Sequence, residues 1–228
     1  PSLMPEYQKK ANKGINQNYS YVDKGYYNSW DELYGSTAHD EYDENRKPGN
    51  YIILDYDADG MITQDDNIPY GYTGIPQNTM NLQIGFDYKG WSCFVQFYGV
   101  NNVSRSVGLT SLGGTRNTAF FEGSYWSPDN QNADVPLPRW LNQASKYTDG
   151  TRFLFDGSYT RLKYAELSYT FSKEKWLKAS GLSSLKVFVN GNNLFLWTDM
   201  PDDRESNTGG WSAYPTQRRF NLGFKITL

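Results

Sequence analysis

The densest cluster of groups able to do chemistry is Asp55-Tyr-Asp57-Ala-Asp59-Gly60-Met61-Ile62-Thr63-Gln64-Asp65-Asp66. Alternate carboxylates, then a glycine, then an apolar residue two places on, follow the pattern of a calcium-binding loop. The spacing has a physical reason. Carboxylates at 55, 57 and 59 converge on one centre, Gly60 permits the sharp turn, and Ile62 anchors the loop to its surroundings. Met61 is expected to offer its backbone carbonyl, Thr63 a ligand directly or through water, and Asp66 the closing carboxylate. Asp66 is shorter than the usual bidentate glutamate, which argues against full seven-fold coordination. Calcium here would be structural, because so many like charges repel without a cation. The competing reading is a turn that merely favours Asp and Gly. Tyr51-Ile-Ile-Leu54 and Pro69 flank the loop as extended chain, so no helix-loop-helix is implied.

Other chemistry is sparse. The 228 residues hold one cysteine, Cys93, and one histidine, His39. That excludes an internal disulfide framework and any Cys₄ or Cys₂His₂ zinc site. Cys93 stands between Trp91 and Val95 and reads as an apolar filler. His39 and the acids Asp40, Glu41, Asp43 and Glu44 read as a solvated loop. Carboxylate pairs such as Asp202-Asp203 lack a partner base or nucleophile, so no enzyme is expected. With 22 basic against 25 acidic side chains there is no basic footprint, and nucleic acid is excluded as a partner.

The elements that must position these residues announce themselves by composition. Aromatics make up 17% of the chain, with 19 Tyr, while Leu, Ile and Val number only 18, 8 and 8. No run approaches the ~18 apolar residues of a membrane helix. Aromatic-rich, glycine-rich chains of low hydropathy fit strands with one apolar and one polar face, as in outer-membrane barrels with aromatic girdles. Alternation supports this. Met80-Asn-Leu82-Gln-Ile84-Gly-Phe86-Asp-Tyr88 and Trp91-Ser-Cys93-Phe-Val95-Gln-Phe97 flank Lys89-Gly90 as a tight hairpin. Phe220-Asn-Leu222-Gly-Phe224-Lys-Ile226-Thr-Leu228 alternates without error. Ala165 to Phe171 alternates too, but Leu162 and Tyr164 fall on the opposite parity, which predicts a β-bulge or a change of environment near Arg161-Lys163. The strands expected are 78–88, 91–100, 158–171, 185–198 and 217–228, with a candidate sixth near Tyr19–Tyr27 and a helical turn near Trp176-Leu177. The loops are 28–75, 101–157 and 199–216. Short turns belong to the periplasm and long loops outside, so Lys89-Gly90 is assigned inward and 101–157, with the acidic loop, to the extracellular side.

The fold class read from these patterns is all-β: antiparallel strands of a transmembrane β-barrel with long extracellular loops. On this reading Met80, Leu82, Ile84, Phe86, Val95, Phe97, Leu222, Phe224 and Ile226 face lipid, and Gln83, Gln96, Asn221 and Lys225 face the lumen. Lumenal Phe94 and Tyr98, with loop residues Trp126, Trp140 and Trp211, are the candidates for stacking on substrate. Girdles and loop packing account for the same aromatics.

A family resemblance follows from these residues. The Asp55–Gly60 motif, Tyr70-Gly71-Tyr72, Phe86–Trp91, Gln96–Gly99, Asp156–Lys163, Glu166–Tyr169 and Gly181–Phe195 occur in the order found in SusC-like TonB-dependent outer-membrane transporters of Bacteroidetes. The resemblance runs from about Lys13 to Leu228, and the terminal Leu228 departs from the family's frequent Phe. It implies a barrel of about 22 strands around a plug, so this chain is expected to be a C-terminal piece, its natural start upstream of Pro1. It also implies import of glycans or peptides, a SusD-like lipoprotein lid, and drive from the TonB-ExbB-ExbD system through the missing N-terminal part. The remaining residues of the barrel and outer-membrane lipid complete the expected partners. The alternative from another class is a soluble, calcium-dependent β-sandwich carbohydrate-binding or adhesion module.

Overall fold

The computed structural model describes residues 4–39, 46–106, 125–134, 136–137, 150–172, 174–200 and 216–228. In chain order the strands are β1 (Tyr19–Ser20), β2 (Asp23–Tyr26), β3 (Tyr51–Ile53), β4 (Ile68–Pro69), β5 (Asn78–Tyr88), β6 (Trp91–Asn101), β7 (Ser104–Ser106), β8 (Leu154–Asp156), β9 (Tyr159–Phe171), β10 (Ser184–Thr198) and β11 (Arg219–Thr227). Two short helices, α1 (Trp30–Tyr34) and α2 (Lys175–Ala179), accompany them. The chain divides into two units, Pro1–Gly74 with Ser104–Phe155 and Ile75–Val103 with Asp156–Leu228.

The second unit is a five-stranded antiparallel sheet in the order β11-β10-β9-β6-β5. Lys89 and Gly90 join β5 to β6 with φ of 48° and 91°. Two positive φ values define the turn whose twist matches a hairpin. A Cβ on Gly90 would lie 3.0 Å from the Thr170 carbonyl, so glycine is required there. Gln96 pairs with Tyr164 and Phe97 with Leu162, which leaves Lys163 as the extra residue of a β-bulge. The bulge returns Leu162 to the face of Phe97 and settles the parity break seen in the sequence. On β10 the register shifts between Asn192 and Phe195, where Asn193 takes φ 54°. α2 forms at the expected Trp176-Leu177 turn and buries Leu177 completely.

The first unit differs from expectation. The candidate sixth strand splits at Tyr21-Val22. Its halves, β1 and β2, pair with β4 and β3 and do not join the large sheet. Stretches read as loops supply Tyr51, Ile53, Ile62, Trp126, Ala133 and Phe153, which pack with Tyr21 and Tyr26 of the candidate strand into one core. Arg152 threads it: its Nε donates to Asp23 Oδ2 at 2.7 Å, Nη1 to the Ala133 carbonyl at 3.1 Å, and its guanidinium lies 4.5 Å from the Tyr26 ring centroid. Half-burial of a cation is tolerated because its donors and charge are met.

Candidate functional site

Two arrangements carry functional content: the two faces of the large sheet, and the acidic loop between β3 and β4. On one face, cross-strand partners bring like with like. Leu82 opposes Phe97, Ile84 opposes Val95, Val187 opposes Phe224, and Val189 opposes Leu222. These side chains are left open, with Leu222 81% and Phe224 71% exposed. Among the described residues no second sheet layer covers this face. An apolar face this large on a soluble surface would be a sticking patch; against hydrocarbon it is the required surface.

The other face is polar and tied together. Glu166 on β9 accepts from Lys186 Nζ at 2.8 Å and from the Tyr164 hydroxyl at 2.5 Å. Asn190 Nδ2 reaches the same carboxylate at 3.5 Å, and Asn221 Nδ2 donates to Asn190 Oδ1 at 2.9 Å. Gln96 donates to Asn81 at 3.2 Å, and Ser92 to Asp87. The network around Glu166 spans β9, β10 and β11 and was not singled out from the sequence. Its only sequence signal is that every member shares the parity of Gln96 and Asn221. Phe94 lies on this face, its ring 5.9 Å from that of Tyr164. Tyr98 packs against the Val100, Val103 and Tyr159 cluster, with Lys163 Nζ 4.7 Å above its ring. Cys93 is half-buried on the apolar side, opposite Phe86 and Leu167.

Trp126 is placed differently from the substrate-stacking expectation. It is 4% exposed in the core of the first unit, and its indole N–H donates to Asn28 Oδ1 at 3.0 Å. Its ring faces are occupied by packing, which leaves none open to a ligand. Trp140 and Trp211 lie outside the described residues.

In the acidic loop, oxygens of Asp55, Asp57 and Asp59 lie within 4.8 Å of one another. Asp55 Oδ2 accepts from Gly60 N–H at 2.9 Å, while Oδ1 is buried without a hydrogen-bond partner. Gly60 turns the chain with φ 86°. The Asp57 carboxyl is held above the usual carboxylate range, first by desolvation and then, against a hydrogen bond from the Asp59 backbone, by Asp59, Asp66 and Asp55. Asp66 stands apart from the trio. It is 1% exposed, and its two oxygens accept from Tyr56 N–H at 2.6 Å and Thr63 N–H at 2.8 Å. Thr63 Oγ1 accepts from Asp65 N–H at 3.1 Å, so Thr63 and Asp66 form a reciprocal cap on a 3₁₀ turn. Ile62 is buried, as an anchor should be, and the Met61 side chain is exposed, its backbone N–H bound to Asp59 Oδ1 at 2.7 Å. The loop thus brings three of the six expected ligand residues together through side chains and uses two others to staple itself.

No family model matches the chain. The TonB-dependent receptor P3 of Formosa agariphila aligns with it at 28% identity over 233 residues, which is 95% of this chain and 22% of that protein. The chain is similar to a TonB-dependent receptor over almost its whole length. Solved structures agree in fold. The RagAB peptide importer in its open-open state superposes with a TM-score of 0.60 at 18% identity, covering 93% of this chain and 22% of the other. The RagAB peptide transporter gives 0.61 at 16%, with 92% and 22% covered. The chain therefore spans about a fifth of the length of the relatives it matches. In fold, the five-stranded sheet matches part of those longer structures, and its two outer edges find no partner among the described residues.

Proposed function

We propose that the chain forms part of the wall of an outer-membrane transporter that imports peptides or glycans, with energy delivered through TonB and with a surface lipoprotein as lid. One observation supports this most: a single sheet layer with an open apolar face and a hydrogen-bonded polar face, in a chain similar to a TonB-dependent receptor. Such a layer suits a boundary between lipid and an aqueous lumen. The resemblance to peptide importers weights the cargo toward peptides. Phe94, beside Tyr164 on the polar face, is the candidate lumenal contact with that cargo. The test is uptake by cells carrying the full-length protein or none. Loss of growth on a peptide mixture, with growth on free amino acids retained, supports peptide import; loss on a glycan alone makes the cargo a glycan. Unchanged growth on both contradicts the transporter reading.

The acidic loop would hold a structural calcium ion through Asp55, Asp57 and Asp59 with the Met61 carbonyl. Its inner staple, Asp66 and Thr63, would shape the loop and leave the ion to the outer carboxylates. A cation there would offset the repulsion among Asp55, Asp57 and Asp59, which adds to desolvation in raising Asp57. Calorimetric titration should show calcium uptake that the Asp55→Asn/Asp57→Asn/Asp59→Asn variant loses; equal uptake by both proteins removes the site.

A further inference from the structure

We propose that the apolar face of the sheet carries a seat for one anionic phospholipid, its acyl chain lying along β10 and its headgroup at the end of the sheet near α2. The inference rests on the barrel reading above. It starts from uneven side-chain height. β10 presents Val187 and Val189 as a low floor, while Trp91, Tyr169 and Phe171 rise on one side and Leu222 on the other. The result is a groove of about 560 Å³, within the ~300–1,000 Å³ of ligand clefts. Its lining comes from β6, β9, β10 and β11, with Val187 and Val189 of β10 between the taller neighbours. Barrel strands tilt about 35–45° from the barrel axis, so an acyl chain laid along β10 would keep the general direction of a lipid chain.

The mouth of the groove is cationic. Thr170 N–H donates to the Gly90 carbonyl at 2.8 Å, and Ser183 N–H to the Thr227 carbonyl at 2.8 Å. The Lys89-Gly90 turn and the β9–β10 connection therefore share one end of the sheet. Trp176 of α2 meets Phe171 of the groove wall with ring centroids 5.9 Å apart, which seats the helix at the mouth. Lys175 and Lys178 stand on that helix, exposed. Lys89 Nζ lies 5.1 Å from the centroid of Tyr88, whose strand partner is Trp91. Among the described residues none of these three lysines forms an ion pair, and Glu174 is the one acid on the same connection. Surplus ammonium groups above an apolar groove, with an indole at the boundary, complement a phosphate headgroup on an acyl chain. A zwitterionic headgroup satisfies that surplus less well.

The test is native mass spectrometry of the full-length protein, released from detergent after equilibration with phosphatidylglycerol or phosphatidylcholine. Heat-modifiable migration on a gel reports in parallel whether the barrel is folded. Wild type should retain one phosphatidylglycerol in preference to phosphatidylcholine. Val189→Phe, which fills the floor with an apolar group, should abolish retention while migration stays folded. Lys89→Gln/Lys175→Gln/Lys178→Gln should erase the preference for the anionic lipid at least several-fold. A folded barrel that retains no lipid, or retains both lipids equally in all three proteins, overturns the seat and leaves the transporter reading standing. A full-length protein that purifies without detergent and shows no heat-modifiable form overturns both.

Discussion

The large sheet and the small aromatic-cored unit solve opposite problems with the same residue types. In the sheet, Phe, Tyr and Leu are left open on one side, and order comes from long, regular ladders such as β5 with β6. In the small unit, strands of two to four residues are too short to specify anything by themselves. Order there comes from buried Tyr, Trp and Phe and from side chains that bind backbone: Arg152 on the Ala133 carbonyl, the Tyr26 hydroxyl on the same oxygen, Asp66 on two N–H groups. The difference teaches that an aromatic-rich chain uses its rings as an open wall where long ladders order the backbone, and as core where the strands are short.

The contrast can be broken at three points. The largest effect belongs to the small unit: Phe153 is fully buried, and Phe153→Ala should destabilise that unit by roughly 3–5 kcal/mol. Protease cutting within 1–74 should rise, with the sheet still protected. In the sheet, Leu222→Arg should cost about 2–4 kcal/mol if it lies near the bilayer midplane, while the neighbouring Asn221→Arg on the polar face should cost much less; denaturant unfolding in lipid vesicles reads both. The smallest effect concerns pH. Burial above all pushes the Tyr26 hydroxyl up to about 12, against the pull of Arg152, and burial raises Tyr51 as well. A hydroxyl whose folded pKa is raised contributes stability that is present below the unfolded value near 10 and lost as pH climbs toward 12. Phenolate absorbance should show Tyr26→Phe removing a late-titrating group, and the small unit should open in that same alkaline window.

The sheet was legible because period-two alternation sustained over long runs marks a two-faced strand and little else. Its strands end within about two residues of where alternation stops, and the parity conflict between Leu162-Tyr164 and Ala165–Phe171 pointed to the neighbourhood of the bulge at Lys163. The small unit was not legible, for a physical reason. The segment is interrupted after Ser20, and the partners of β1 and β2 lie 25 to 50 residues away, so no local pattern marks them. Trp126 shows the same limit: an isolated tryptophan in a polar stretch reads equally as a platform or as loop packing, and only tertiary structure shows it in the core. In the acidic loop the sequence pattern identified the convergent trio, but Asp66 carried no sign that its oxygens would be taken by Tyr56 and Thr63.

The central claim is that one residue step along β11 passes from lipid to water. Nitroxide labels at Phe224→Cys and Lys225→Cys, in the full-length protein with Cys93 replaced by Ser and reconstituted in vesicles, test it directly. The account predicts that the label at 224 collides with dissolved oxygen and is shielded from a water-soluble nickel chelate, and that the label at 225 shows the reverse. Equal exposure of both to the chelate, or the opposite order, would contradict it.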